Sequence, residues 1–195
     1  MTGSTHILGG IIVGSAVILP LDLPPSVKFG TVTIAIIGAL LPDIDNKGST
    51  ISRKLPFLAL FIWLAQKIVY ILTIPLKREK KRKIRAMCGH RGLTHSIAAA
   101  VLFALITGAV AKILGSNNFI LYGAGMFVGI LSHLILDVFS NGAPILLPFS
   151  TKKVVKGTIK TGGFREWLIR LAMFPILAIL IYQLFLDGWS PMYLM

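Results

Sequence analysis

The sequence predicts an all-α fold: a polytopic membrane helical bundle of about five spanning helices, each needing about 20 apolar residues. One further helical segment, about 55–76, is expected to lie in the interface or re-enter it. Three observations predict this. The chain has 195 residues, 55% of them hydrophobic and only 14% charged, with a mean hydropathy of +0.81. Soluble domains carry about 25% charged residues. The apolar residues are gathered into six runs separated by Pro, Gly or basic stretches. The few histidines and acids stand at the ends of those runs rather than scattered. A length of 195 residues suits a single domain, residues 1–195.

The runs are Ile7–Leu21, Val27–Leu41, Leu55–Leu76, Ile97–Leu114, Phe119–Phe139 and Trp167–Leu186. The last three suit a spanning helix directly. The first two are short and need flanking residues or a thinned bilayer. The first run follows no basic stretch and no small-residue cleavage site, so it reads as retained. Leu23-Pro24-Pro25 breaks the chain between the first two, as a tight hairpin requires. Gly10 and Gly14 have the spacing of close helix contact. Pro42 helps to end the second helix. The third run is interrupted by Gln66 and Lys67 and followed by Lys77–Arg85, where seven of nine residues are basic.

Topology follows from where the ionisable groups must meet. The first helix leaves the face that holds His6, and the second returns Asp43 and Asp45 to it. If the third run crossed fully, His90 and His95 would land on the opposite face. A non-spanning third run keeps them with the others. The fifth run then returns His133 and Asp137, and Glu166 opens the last helix on the same face. Charge supports this arrangement. Of the 20 Lys and Arg, only Lys28 and Lys112 fall on the opposite face. Positive residues favour the cytoplasmic side, so the site is expected there, in a multi-pass protein of the cell (plasma or inner) membrane. The net charge of +13 is then explained by loops beside anionic lipid. A nucleic-acid role is not expected, since the basic residues are spread over several loops without stacking aromatics. Cys88 is the only cysteine, so no intrachain disulfide forms.

Ionisable groups at the edge of hydrocarbon are costly, which makes each a functional candidate. His133 and Asp137, four apart, share one helical face, and Gly125 and Gly129 continue it. Alone, the pair would serve equally well as a structural hydrogen bond. His90-Arg91-Gly92-Leu93-Thr94-His95-Ser96 combines two histidines with a cation able to clamp phosphate and a helix start. Gly92 suits a tight turn there, and Thr94 suits the helix cap. Asp43 and Asp45 can share metals, or one can ligate while the other orients a histidine or water. An ordinary interfacial loop explains Arg91 but explains two histidines poorly. His6 gains meaning by facing Asp43 across the hairpin. Glu166 sits in a first helical turn, where an acid is common for dipole reasons alone. Convergence of these clusters on one face is what turns them into a site.

At these residues the chain resembles the YdjM-like family of membrane-bound metal-dependent hydrolases. The matching pieces are His6, Leu41-Pro42-Asp43-Ile44-Asp45, the segment His90–Ser96, Ser132-His133-Leu134-Ile135-Leu136-Asp137, Pro148-Phe149 and Glu166. They cover most of the chain. That family is more distantly similar to zinc-dependent phospholipase C and single-strand nuclease enzymes, which are helical and cut phosphoesters at a zinc cluster. The shared His-x-x-x-Asp signature is met by His133 and Asp137. By the same comparison Asp43, His90 and Glu166 would be ligands.

The expected function is a membrane-embedded metal-dependent hydrolase that cleaves a phosphoester of a lipid or lipid-linked substrate. His6, Asp43, His90, His133 and Asp137 are the expected metal ligands. Asp45 or Glu166 is the expected base or supporting acid, His95 a ligand or proton donor, and Arg91 a phosphate clamp. Mixed His and carboxylate donors suit Zn²⁺, with Mn²⁺ or Fe²⁺ as alternatives. The chain has fewer histidines than the soluble enzymes, so two ions are expected rather than three. Membrane lipids, anionic ones above all, are the expected partners. The competing readings are a metal or proton transporter using the same residues, and an inactive scaffold.

Overall fold

The computed structural model describes residues 1–46, 48–89, 91–140, 142–152 and 157–188. As the sequence predicts, the regular structure among them is helical. The helices are α1 (Gly3–Ile18), α2 (Pro25–Leu40), α3 (Thr50–Lys54), α4 (Pro56–Leu72), α5 (Arg78–Cys88), α6 (Ile97–Ile113), α7 (Phe119–Ser140) and α8 (Phe164–Gly188). Two 3₁₀ turns, Leu41–Asp45 and Leu93–His95, carry sequence motifs. Pro25 sits at the first position of α2, where its missing N–H costs nothing.

The core is a seam of small residues. Thr31, Ala35 and Ala39 of α2 lie against Gly125, Gly129 and His133 of α7, so these two helices run parallel in fixed register. A Cβ on Gly129 would overlap the backbone oxygen of Ala35, which only glycine avoids. Along the same seam, Gly10 and Gly14 of α1 admit Ala39 and Ala35 at a distance a side chain would close. The expected Gly10/Gly14 contact is therefore formed, between antiparallel α1 and α2. Ala104 and Gly108 of α6 meet Gly123 and Phe119 of antiparallel α7. Around this seam, Ala100, Met126, Ile130 and Leu134 form one buried apolar cluster.

α8 runs beside α1 in the same direction. Glu166 touches Thr2 and Thr5, and Arg170 donates to Ser4 Oγ at 3.3 Å. One end of the bundle thus gathers the starts of α1, α6 and α8 and the ends of α2 and α7. That is the end where the sequence places its ionisable groups.

Two stretches, Pro25–Asp45 with 21 residues and Phe119–Ser140 with 22, are long and apolar enough to cross a membrane. Gly3–Ile18, Ala59–Leu72 and Ile97–Ile113 are apolar but shorter. α8 has 25 residues but carries Arg165, Glu166 and Arg170 in its first two turns. Among the described residues, two stretches are therefore span candidates by length and composition together, fewer than the five expected.

The segment expected not to span forms a single helix, α4, unbroken through Gln66 and Lys67. The Lys67 ammonium lies 5.6 Å from the Trp63 ring centroid, one turn back, so the charge is accommodated rather than breaking the helix. α4 packs mainly on α3, α5 and the Leu41–Asp45 turn, at the same end of the bundle. Its outer face is strongly apolar, with Phe57 87% and Phe61 69% exposed. The basic helix α5 folds back on it, and Arg85 stacks 3.7 Å from the Tyr70 ring centroid.

Candidate metal centre

The i, i+4 spacing on α7 turns His133 and Asp137 toward α1 and α2, and both are buried. α1 delivers His6 from its first two turns, and its ring stacks on His133 with centroids 3.8 Å apart. The Leu41–Asp45 turn, started by Pro42 at the end of α2, places Asp43 on the same spot. The Leu93–His95 turn supplies His95 just before α6. Five of the sequence-predicted residues, His6, Asp43, His95, His133 and Asp137, therefore converge.

Their geometry is close. Nε2 of His95 lies 3.5 Å from Asp43 Oδ1 and 3.7 Å from Asp137 Oδ2. Nε2 of His133 lies 3.8 Å from Asp43 Oδ1 and 3.7 Å from Asp137 Oδ2. His6 Nε2 is 3.6 Å from Asp137 Oδ1. Two triads result, His6–His133–Asp137 and Asp43–His95–His133, each with its donor atoms within 4.8 Å of one another. Asp43 is 19% exposed while the other four are 0–1% exposed, so the cluster opens to its surroundings on the Asp43 side.

Two contacts orient the imidazoles. His133 Nδ1 is 2.7 Å from the backbone oxygen of Ala39, an acceptor, so Nδ1 carries the proton and Nε2 the lone pair. Thr94 Oγ1 donates to Asp45 Oδ2 at 3.1 Å and accepts from His95 Nδ1 at 3.1 Å. His95 is thereby also set with its Nε2 lone pair inward. The two Nε2 atoms then face each other at 3.3 Å, a pairing that a shared cation or proton relieves. Both ring nitrogens of His6 are buried without a hydrogen-bond partner. This donor chemistry fits a divalent metal, whose histidine ligands commonly donate their other nitrogen to a carbonyl or carboxylate.

The remaining predicted residues take other places. Asp45 stands behind His95, holding it through Thr94 rather than joining the donor atoms. Arg91 points inward: Nη2 lies 2.9 Å from Asp137 Oδ2, and Nη1 donates to the Gly142 oxygen at 3.5 Å. Arg91 itself adopts the left-handed backbone with φ 58, where the turn was expected at Gly92. A non-glycine residue held there costs on the order of 1–3 kcal/mol, which the Asp137 and Gly142 contacts offset. Gly92 is needed for a different reason: a Cβ there would overlap the oxygen of Met87. The cap of α6 is Ser96, whose Oγ accepts from Ala99 N at 3.1 Å, and not Thr94, because the chain becomes extended only at Ser96.

Glu166 lies outside both triads. Its Oε1 accepts from Thr2 N at 2.6 Å, Thr2 Oγ1 at 2.7 Å and Thr5 Oγ1, and its Oε2 accepts from Gly162 N at 2.6 Å. The bonds from Thr5, Thr2 and Gly162 satisfy the buried carboxylate, so its charge is paired without a metal. Glu166 thus ties α8 to the start of α1, one turn from His6. His90 lies outside the described residues. The sequence reading missed the Ala39 oxygen, which no side-chain pattern announces. It also missed the amino group of Met1, 2.8 Å from Asp137 Oδ1.

An apolar helical bundle with a buried His and Asp cluster of metal-ligand type at one end defines the class: a helical membrane protein with a candidate metal centre. The chain belongs to the YdjM inner membrane protein family, whose pattern matches residues 1–190. The uncharacterized protein YvsG of Bacillus subtilis (strain 168) is 29% identical over 186 residues, covering 95% of this chain and 97% of that protein. The inner membrane protein YdjM of Escherichia coli (strain K12) is 34% identical over 117 residues, covering 58% of this chain and 47% of that protein. YdjM of Shigella flexneri matches to the same extent. No solved structure matches the chain.

Proposed function

We propose that this protein is a membrane-embedded metal-dependent hydrolase that cleaves a phosphoester of a lipid or lipid-linked substrate at the cytoplasmic interface. The observation that carries it is the pair of inward Nε2 lone pairs of His95 and His133, 3.3 Å apart between two carboxylates. Such a donor set suits Zn²⁺, with Mn²⁺ or Fe²⁺ as alternatives. When bound, the metal supplies Lewis acidity, lowering the pKa of water and polarising a phosphoryl oxygen.

Both triads use Nε2 of His133, and one nitrogen lone pair serves one ion. His133 would therefore hold one ion with either His6 and Asp137 or Asp43 and His95, and the donors of the other triad, joined by further ones, would hold the second expected ion. Asp45 and the Ala39 oxygen fix the imidazole tautomers. Water's oxygen would bond phosphorus as the phosphorus–alcohol bond breaks, and the proton that water gives up would pass to the departing alkoxide on the open, Asp43 side of the site. Arg91 neutralises Asp137 at the wall of the site and offers its guanidinium to the substrate phosphate.

We read the helices that share the site end, α1, α2, α6, α7 and α8, as the five spans, with α4 in the interface. The basic residues gathered at that end favour the cytoplasmic side. The test is protein purified in detergent. Metal is measured by mass spectrometry, and phosphate or headgroup release is followed from phospholipid. Activity that persists both after chelation and in His133→Ala sinks the proposal.

A further inference from the structure

A groove of about 200 Å³ runs between α4 and the segment that carries His95. We propose that it seats the alkyl chain of the amphiphilic substrate, which rests on the hydrolase reading and names what the site recognises besides phosphate. Phe61, Ala65 and Val69, spaced four apart, form one wall along α4, and Met87 and Leu93 face them. The lining turns polar where Asp45 and Thr94 enter. Those two side chains are bonded to each other, and Thr94 Oγ1 touches His95. An apolar slot therefore ends one side chain away from the candidate metal ligands.

The occupant follows from that continuity. A soluble phosphoester would need no apolar slot. A peptide would need backbone partners, and this lining offers few. An alkyl chain needs only apolar walls, and moving from lipid into an apolar slot exposes none of its methylenes to water. Entry is open, because the outer face of α4 is apolar and exposed at Phe57, Leu60, Phe61 and Leu64. In a member of an inner membrane family that face meets lipid. A chain can thus slide from lipid into the groove with its phosphate travelling toward Asp43.

The groove is tested first without chemistry. A hexadecyl phosphate bearing a terminal diazirine is irradiated with the purified protein, and labelled peptides are mapped by mass spectrometry. Ala65→Trp fills the slot, whereas Leu64→Trp, on the neighbouring outer surface, controls for folding. Labelling is expected at Phe61, Met87 or Leu93, lost in Ala65→Trp and kept in Leu64→Trp. Labelling that Ala65→Trp leaves unchanged, or that never includes the groove, overturns the proposal. If Ala65→Trp fails to fold, Val69→Trp takes its place. Competition by excess hexadecyl phosphate, but not butyl phosphate, must also remove the groove label. Removal by a soluble peptide instead would assign the slot to a protein segment and overturn the proposal.

The hydrolase reading is scored separately. With zinc-loaded protein, Ala65→Trp is expected to lower kcat/KM for a hexadecyl phosphodiester by about tenfold or more, while butyl phosphodiester is little affected. Groove labelling without any hydrolysis would keep the groove and remove the reaction. Hydrolysis indifferent to chain length would keep the reaction and remove the groove.

Discussion

Nδ1 of His133 bonds the backbone oxygen of Ala39 at 2.7 Å, and this contact aims Nε2 into the cluster. A backbone oxygen cannot be mutated away, so the orientation of His133 is built into the packing of α2 on α7. His133→Ala is expected to reduce bound zinc to background, because it removes the donor common to both triads. His133→Gln, with no imidazole, should also fail to hold zinc while keeping the fold. Metal content per protein, measured beside thermal stability, checks both.

Asp45 and Thr94 would act on a bound metal through His95, which they orient. Asp45→Asn and Thr94→Val are each expected to weaken zinc binding by about 10–100-fold, the usual effect of losing an orienting partner. Competition with a zinc chelator of known affinity measures this. If either variant bound zinc as tightly as the wild type, the Asp45–Thr94–His95 relay would have no role.

Glu166 separates two roles cleanly. Its carboxylate takes all its bonds from Thr2, Thr5 and Gly162, so Glu166→Ala leaves those donors unpaired. Each unsatisfied buried donor costs about 1–3 kcal/mol, so the melting temperature should fall. Zinc content of the folded protein should hold. A Glu166→Gln variant that stays fully stable yet loses zinc would make this residue a ligand instead.

The seam between α2 and α7 is expected to tolerate no side chain at Gly129. Gly129→Val should cost at least about 1–3 kcal/mol through overpacking against Ala35. Gly48, exposed and with nothing nearer than 3.6 Å to its absent Cβ, should accept alanine without effect. Thermal unfolding in one detergent compares the two.

The topology has a labelling test. On a Cys88→Ser background, single cysteines at Pro24 and Gly115 are expected to react from one side of the membrane, and cysteines at Asn46 and Lys81 from the other. In intact cells a membrane-impermeant maleimide should reach only the first pair. Reaction of Lys81 from the same side as Pro24 would mean that α4 spans.

Much of this was legible in the sequence because it was periodic or costly. The i, i+4 pair on α7, the Gly10/Gly14 contact and the Pro24-Pro25 break each leave a local pattern, and each is formed. The convergence of His6, Asp43, His95, His133 and Asp137 followed from one constraint, that buried ionisable groups need partners. What stayed illegible depends on backbone paths. Whether Arg91 faces outward or toward Asp137 turns on a left-handed residue in a short loop. Whether Glu166 binds metal or the start of α1 turns on where Thr2 and Thr5 fall after α8 docks. Helix length is likewise set by where the turns close: α6 begins only at Ile97, because Leu93–His95 and Ser96 are spent on the turn and cap, and it ends at Ile113, one residue short of its apolar run.

The paired rungs Thr31/Gly125, Ala35/Gly129 and Ala39/His133 make the bundle a jig for its own chemistry. The last rung is at once a packing contact and the bond that sets a ligand's tautomer. Sliding α7 by a single residue would rotate His133 by about 100° away from Asp43. The locking of these two helices therefore sets His133 and brings Asp43 to it, while α1 and the Leu93–His95 turn add His6 and His95. A metal held there would be a passenger on a finished frame, and stripping it should leave the helices standing where they were.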